Sequence, residues 1–159
     1  MKKLLITLIC VLTFGVSIFA QDDKKDSLAV VDKLFTEMAN HNPSEILSLW
    51  QKEATLAAII KTKDGKTVHR TLTPDAFSKN FAVKKGELKE LMYKPKVEVY
   101  TDFAMVWGRY VFFTDDKISH CGVNSFHLVK TENGWKIANA SSTIEPNGCT
   151  DKEKKMKSK

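Results

Sequence analysis

Residues 104–144, AMVWGRYVFFTDDKISHCGVNSFHLVKTENGWKIANASSTI, restrict this chain more than any other stretch. Apolar and polar residues alternate through three segments, and turn chemistry at Asp115-Asp116 and Glu132-Asn133-Gly134 interrupts them twice. Alternation is the two-residue period of a strand, so the pattern predicts an antiparallel three-strand meander. In its second strand, His120, Gly122, Asn124, Phe126 and Leu128 share one face, and Cys121, Val123, Ser125, His127 and Val129 the other. Phe126 and Leu128 turn the first set toward a core, which directs His120 and Asn124 inward, with Gly122 leaving space between them. The strand before it is apolar on both sides. Val106, Tyr110 and Phe112 lie on one face, with Met105, Trp107, Val111 and Phe113 on the other. A sheet with one wet face alternates more cleanly, so the second face needs a cover. A second copy packing sheet against sheet supplies one; a strongly curled sheet closing over its own ends is the alternative.

Upstream, Leu28, Val31, Leu34, Phe35 and Met38 recur at three- and four-residue steps from Asp26, the period of an amphipathic helix. His41-Asn42-Pro43 ends it. Asn42 suits an N-cap, Pro43 the first helical position and Glu45 the third, so a second helix follows, with Ile46, Leu47, Leu49 and Trp50 on its apolar side. Residues 54–61 and 67–72 flank Lys63-Asp64-Gly65-Lys66, an Asp-Gly hairpin signal. Thr73-Pro74-Asp75 starts a third helix carrying Phe77 and Phe81. Residues 87–93 fit either another helical turn or a loop, and Val97 and Val99 then mark a strand. Helices first and a predominantly antiparallel sheet after them is an α+β arrangement.

The ends of the chain have their own chemistry. Lys2 and Lys3 precede an apolar run at residues 4–16, and Ser17-Ile18-Phe19-Ala20 leads into Gln21-Asp22-Asp23, the layout of a secretory signal peptide cleaved after Ala20. The expected organisation is a leader at 1–20, a disordered linker at 21–25, one domain at 26–146 and a basic, disordered tail at 147–159. The formal charge of +6 is concentrated at these ends, and a nearly neutral body lacks the basic face of a nucleic-acid binder. After cleavage the chain is expected in the periplasm or outside the cell, with no stable membrane insertion. There Cys121 and Cys149 either form a disulfide or leave Cys121 as a small buried hydrophobe.

Val106-Trp107, Tyr110, His120, Gly122-Val123-Asn124, Phe126 and Gly134-Trp135-Lys136-Ile137, in that order behind helix, helix, hairpin and helix, resemble the NTF2-like superfamily. The likeness is to its exported bacterial SnoaL-like and DUF4440-like members and covers residues 26–144. It implies a curved sheet wrapped around about three N-terminal helices into a cone, a pocket at the open end, and homodimerisation through the sheet's outer face. It does not imply one activity, since isomerases, dehydratases, cyclases and association domains share the fold. Related sequences often carry an acid before the threonine of the last strand, where this chain has Ser142 before Thr143.

The candidate pocket residues are His120, Asn124 and Tyr110, with Trp50 and His69 as further candidates. Arg109 shares its face with Trp107 and so belongs to the outer side, at a dimer rim or holding an anion. His120 and His127 occupy opposite faces, and neither His41 nor His69 completes a ligand spacing, so no metal site is expected. No phosphate-binding glycine loop or nucleophile motif points to a cofactor or covalent chemistry. Isomerisation of the ketosteroid type needs a carboxylate base in an apolar pocket. Glu98 falls on a polar face and Asp102, Asp115 and Asp116 in turns, so the residues supply none. The expectation is a non-enzymatic domain binding a small, partly apolar molecule. The alternatives are an isomerase or eliminating enzyme with a histidine base, and an envelope protein-association module.

Overall fold

The computed structural model describes residues 4–62 and 64–158, with side chains from Asp22 onward. The leader expected at 1–20 therefore lies outside the residues described with side chains. Helix α1 (Leu4–Ala39) leads into α2 (Pro43–Ser48), strands β1 (Trp50–Lys61) and β2 (Thr67–Leu72), helix α3 (Pro74–Val83), and strands β3 (Leu88–Met92), β4 (Lys96–Tyr100), β5 (Phe103–Thr114), β6 (Lys117–Thr131) and β7 (Gly134–Ile144). This is the α+β arrangement expected, with three α-helices against one curved sheet among the described residues.

The sheet runs β2-β1-β7-β6-β5-β3, and β4 also pairs with β5. All pairings are antiparallel except β1 with β7, which is parallel. The meander is β5-β6-β7. Asp115 and Asp116 both adopt positive φ at its first turn and Gly134 does so at its second. Strand β5 is the axis of the sheet's outer half, for β4 pairs along Phe103–Trp107 and β3 along Tyr110–Thr114.

Val31, Leu34, Phe35 and Met38 are buried on α1, as the periodicity predicts. They pack into one core with Ile46, Leu56, Val106, Phe126, Leu128 and Ile137. The α2 cap forms as read, with the Glu45 amide donating to Asn42 Oδ1 at 3.4 Å. That helix is shorter than its apolar pattern suggests. Leu47 is exposed, and Trp50 is the first residue of β1 rather than part of α2.

Two segments expected to be disordered are built into the fold. Residues 22–25 continue α1 instead of forming a linker. Asp23 there accepts from Lys130 Nζ at 2.6 Å, and Ser27 is fully buried. The larger correction concerns residues 147–159, read as a solvated basic tail. Cys149 is bonded to Cys121, and a 3-10 turn at Glu153–Lys155 buries Glu153. Arg109 Nε and Nη2 reach the two Glu153 carboxylate oxygens at 2.6 and 3.1 Å, and the Thr150 amide donates to that carboxylate at 2.7 Å. Met156 and Cys149 then pack with Val111, Phe113 and Cys121 as a second small core on the outer side of the sheet. The apolar outer face of β5 thus has a cover over its Val111 and Phe113 end, and it comes from the chain's own tail.

Candidate functional site

The inner faces of β5 and β6 and the apolar sides of α1 and α3 enclose a cavity of about 330 Å³, within the size range of small-molecule sites. Phe35, Phe77, Phe81, Phe112 and Phe126 supply aromatic walls, with Leu34, Met38, Leu56 and Leu72 between them. Polar groups enter at one end, where Glu90, Tyr110, His120, Asn124, Ser141 and Ser142 converge, and Lys84 stands at the opening.

Glu90 is the residue that sequence reasoning missed. Residues 88–92 form β3, neither helix nor loop, and Glu90 pairs with Phe112 across the ladder. Paired residues share a face, so the carboxyl projects into the cavity beside Phe112 while Lys89 and Leu91 point outward. The surface it retains opens onto the cavity. Asn124 Nδ2 donates to Glu90 Oε1 at 2.5 Å. Burial raises the carboxyl from an ordinary 4.5 to about 7, against the opposing effects of the Asn124 hydrogen bond and the Lys84 charge. The statement that no carboxylate stands in an apolar pocket is overturned: one does, titrating near neutrality.

Three candidates sit where alternation placed them. Asn124 is 3 % exposed and committed to Glu90. Tyr110 donates its hydroxyl to the Thr143 carbonyl at 2.8 Å and receives Ser142 Oγ at 3.4 Å. Burial, then the Glu90 charge, holds its phenol well above the usual range. His120 stacks on Phe112, with ring centroids 4.9 Å apart and planes 12° from parallel. Burial and then the Lys84 charge lower the imidazole to about 4, so it is neutral across the physiological range. Gly122 serves a purpose other than spacing His120 from Asn124. A Cβ there would stand 2.0 Å from the Thr143 carbonyl oxygen and 2.8 Å from Tyr110 Cε1, so its absence lets the tyrosine ring lie across β6 and reach Thr143.

Two candidates are not in the site. Trp50 is buried in the core against Phe77, with ring centroids 5.7 Å apart, and its indole N–H has no partner among the described residues. Position 50 begins a strand, which sends the ring away from the cavity that a helical reading gave it. His69 lies exposed on β2, paired with Ile59 at the sheet edge, and does not line the cavity. Arg109 is on the outer side as read, but the anion it holds is Glu153. Among the described residues no group of three His, Cys, Asp or Glu is placed to hold a metal ion, and no helix is long and apolar enough to cross a membrane.

No family model and no curated protein matches the sequence. Solved structures do match the fold. An NTF2-like protein with a cystatin-like fold from Novosphingobium aromaticivorans superposes with a TM-score of 0.68 at 11% identity, covering 88% of this chain and 92% of that one. An NTF2-like superfamily protein from Salmonella enterica gives 0.63 at 13% identity, covering 82% and 96%. A protein of unknown function with a cystatin-like fold from Nostoc punctiforme gives 0.62 at 8% identity, covering 78% and 92%. At such identities the likeness is one of fold alone, and the chain has the NTF2-like, cystatin-like fold.

Proposed function

We propose that this is an exported binding domain whose cavity takes a small, partly apolar molecule. The observation that carries the reading is the pairing of Glu90 with Asn124 in the lining of an aromatic cavity. A carboxyl in apolar surroundings costs stability, and a site retained at such a cost is the usual mark of function. Tyr110 and His120 flank the pair, while the phenylalanines supply area without directionality. The disulfide supports export, since such bonds persist in oxidising compartments. The test is native mass spectrometry of protein purified from its own host, followed by thermal-shift screening of metabolites. Ligands found in this way should lose most of their stabilising effect in Asn124→Ala. If that effect is unchanged in Asn124→Ala and His120→Ala for every ligand, the reading fails.

Glu90 also favours a second, enzymatic reading. A carboxyl titrating near 7 in an aromatic-walled cavity is matched to proton abstraction and return at neutral pH. The base in that reading is Glu90, because neutral His120 has too low a proton affinity for the role. A rate profile whose ionisation near pH 7 survives in Glu90→Gln would remove it.

The dimer reading keeps the part of the outer face that the tail leaves open. Tyr100 is 81 % exposed and Phe103 45 % exposed, and Met105 and Trp107 continue that stripe along β5. Sedimentation equilibrium on Trp107→Glu against the native chain tests this contact, and a monomeric native chain eliminates it.

A further inference from the structure

Lys84 is the C-cap of α3, where the chain leaves helical geometry, and that turn brings its side chain back over the cavity. Its Nζ lies 4.4 Å from the Phe112 ring centroid and 5.2 Å from that of Phe81. Among the described residues no carboxylate oxygen comes within salt-bridge distance of it, and of the lysines without such a partner it is the one that lines the cavity. Burial lowers the ammonium's proton affinity and the Glu90 charge acts against that effect. The residue as a whole is exposed, and its cation lies over two aromatic faces at the solvent edge of the cavity without a counter-ion.

We propose that the ligand is an apolar monocarboxylate, its carboxylate paired with Lys84 at the opening and its carbon body lying among Phe77, Phe81, Phe112 and Phe126. The inference rests on the cavity-binding reading and names the chemistry of the occupant. An anion compensates the lost hydration of Lys84, and a charge-assisted hydrogen bond in this setting is worth more than a neutral one. A cationic ligand would meet Lys84 repulsion. A dianion such as a phosphate monoester would meet one lysine with Glu90 nearby, too little positive charge for two negative ones. Glu90, His120 and Tyr110 are the other titratable groups facing this space. Near neutrality the first carries a proton part of the time and the other two are uncharged, so protonated Glu90 can donate to the incoming carboxylate. Arrival of that negative charge also favours the protonated carboxyl, so binding takes up protons near pH 7.

Isothermal titration with 3-phenylpropionate and octanoate, each against its primary amide, tests the assignment on the native chain, Lys84→Met and Lys84→Arg. The expected result is a carboxylate at least tenfold tighter than its amide in the native chain and in Lys84→Arg. In Lys84→Met that preference should vanish, with amide affinity within about twofold of native. Equal affinity for acid and amide in the native chain overturns the carboxylate assignment and leaves the cavity reading standing. If neither series binds, both fall. A carboxylate preference that persists in Lys84→Met overturns the role of Lys84.

Discussion

Replacing Glu90 with Gln should stabilise the protein by an amount that grows as pH rises from about 4.5 and levels off above about 7. An acid whose proton affinity is raised by folding opposes the fold as pH increases, because the unfolded state has released its proton while the folded state still holds it. For Glu90 the window opens near 4.5 and closes near 7. At about 1.4 kcal/mol per pH unit, ionisation costs the fold about 3 kcal/mol above that window. Gln keeps the acceptor that Asn124 donates to and removes the charge. The gain should be under about 1 kcal/mol at pH 5 and about 3 kcal/mol at pH 8. His120 provides an internal control of opposite sign. Its imidazole falls from 6.5 to about 4 on folding, so the unfolded state binds the extra proton and stability rises with pH between those values. Between pH 4.5 and 6.5 the two slopes cancel, for the folded state carries its proton on the carboxyl and the unfolded state on the imidazole. The native chain should show little contribution from this pair in that window, and Glu90→Gln should uncover a rise of about 2 kcal/mol across it. Urea unfolding monitored by tryptophan fluorescence at constant ionic strength measures both. A Glu90→Gln effect equal at pH 5 and pH 8 would refute a buried, charge-sensitive carboxyl.

The tail yields two further expectations. The Cys121–Cys149 bond closes a loop with a sequence separation of 28, so Cys149→Ser should lower stability by about 3.6 kcal/mol on the chain-entropy account, and limited proteolysis should then remove residues after 146. Arg109→Leu leaves the buried Glu153 carboxylate without its cation, held only by the Thr150 amide, and should cost about 3 kcal/mol, whereas the double change with Glu153→Gln should recover most of it; a double-mutant cycle with no coupling would discard the pairing. Gly122→Ala should displace the Tyr110 ring, because its added Cβ would meet Thr143 backbone, and a loss of more than about 2 kcal/mol with shifted Tyr110 aromatic resonances is the expected result.

The meander was legible because its signal is redundant. Alternation, Asp-Asp and Asn-Gly turns, and apolar density all select one register, and a slip by one residue would have turned Phe126 and Leu128 outward. That redundancy is why His120, Asn124 and Tyr110 were placed correctly. Trp50 had no such protection. It follows an apolar run of helical spacing, and the boundary depends on α2 stopping at Ser48, which only the β1–β7 pairing explains, with Trp50 opposite Ile137. A parallel pairing between strands far apart in sequence leaves no local turn signature, so nothing near position 50 announces it.

Glu90 was hidden for a related reason. Residues 87–93, Glu-Leu-Lys-Glu-Leu-Met-Tyr, have charges at two- and three-residue steps that suit an exposed helix turn as well as a strand. The inward direction of the carboxyl depends on pairing with β5, whose sequence says only that β5 itself is apolar on both faces. The tail was hidden in the same way, since lysines dominate residues 151–159 while the anchors are Cys149 just before them and one glutamate and one methionine among them. Both misreadings meet on β5. Its inner face receives the acid from β3, and part of its outer face receives the tail, so the doubly apolar strand has two covers supplied from elsewhere in the chain. A doubly apolar strand in a domain of this size therefore supports two explanations before a partner is invoked. What remains exposed here, Tyr100 and Phe103 beside the half-buried Met105 and Trp107, is the portion on which the dimer proposal has to stand.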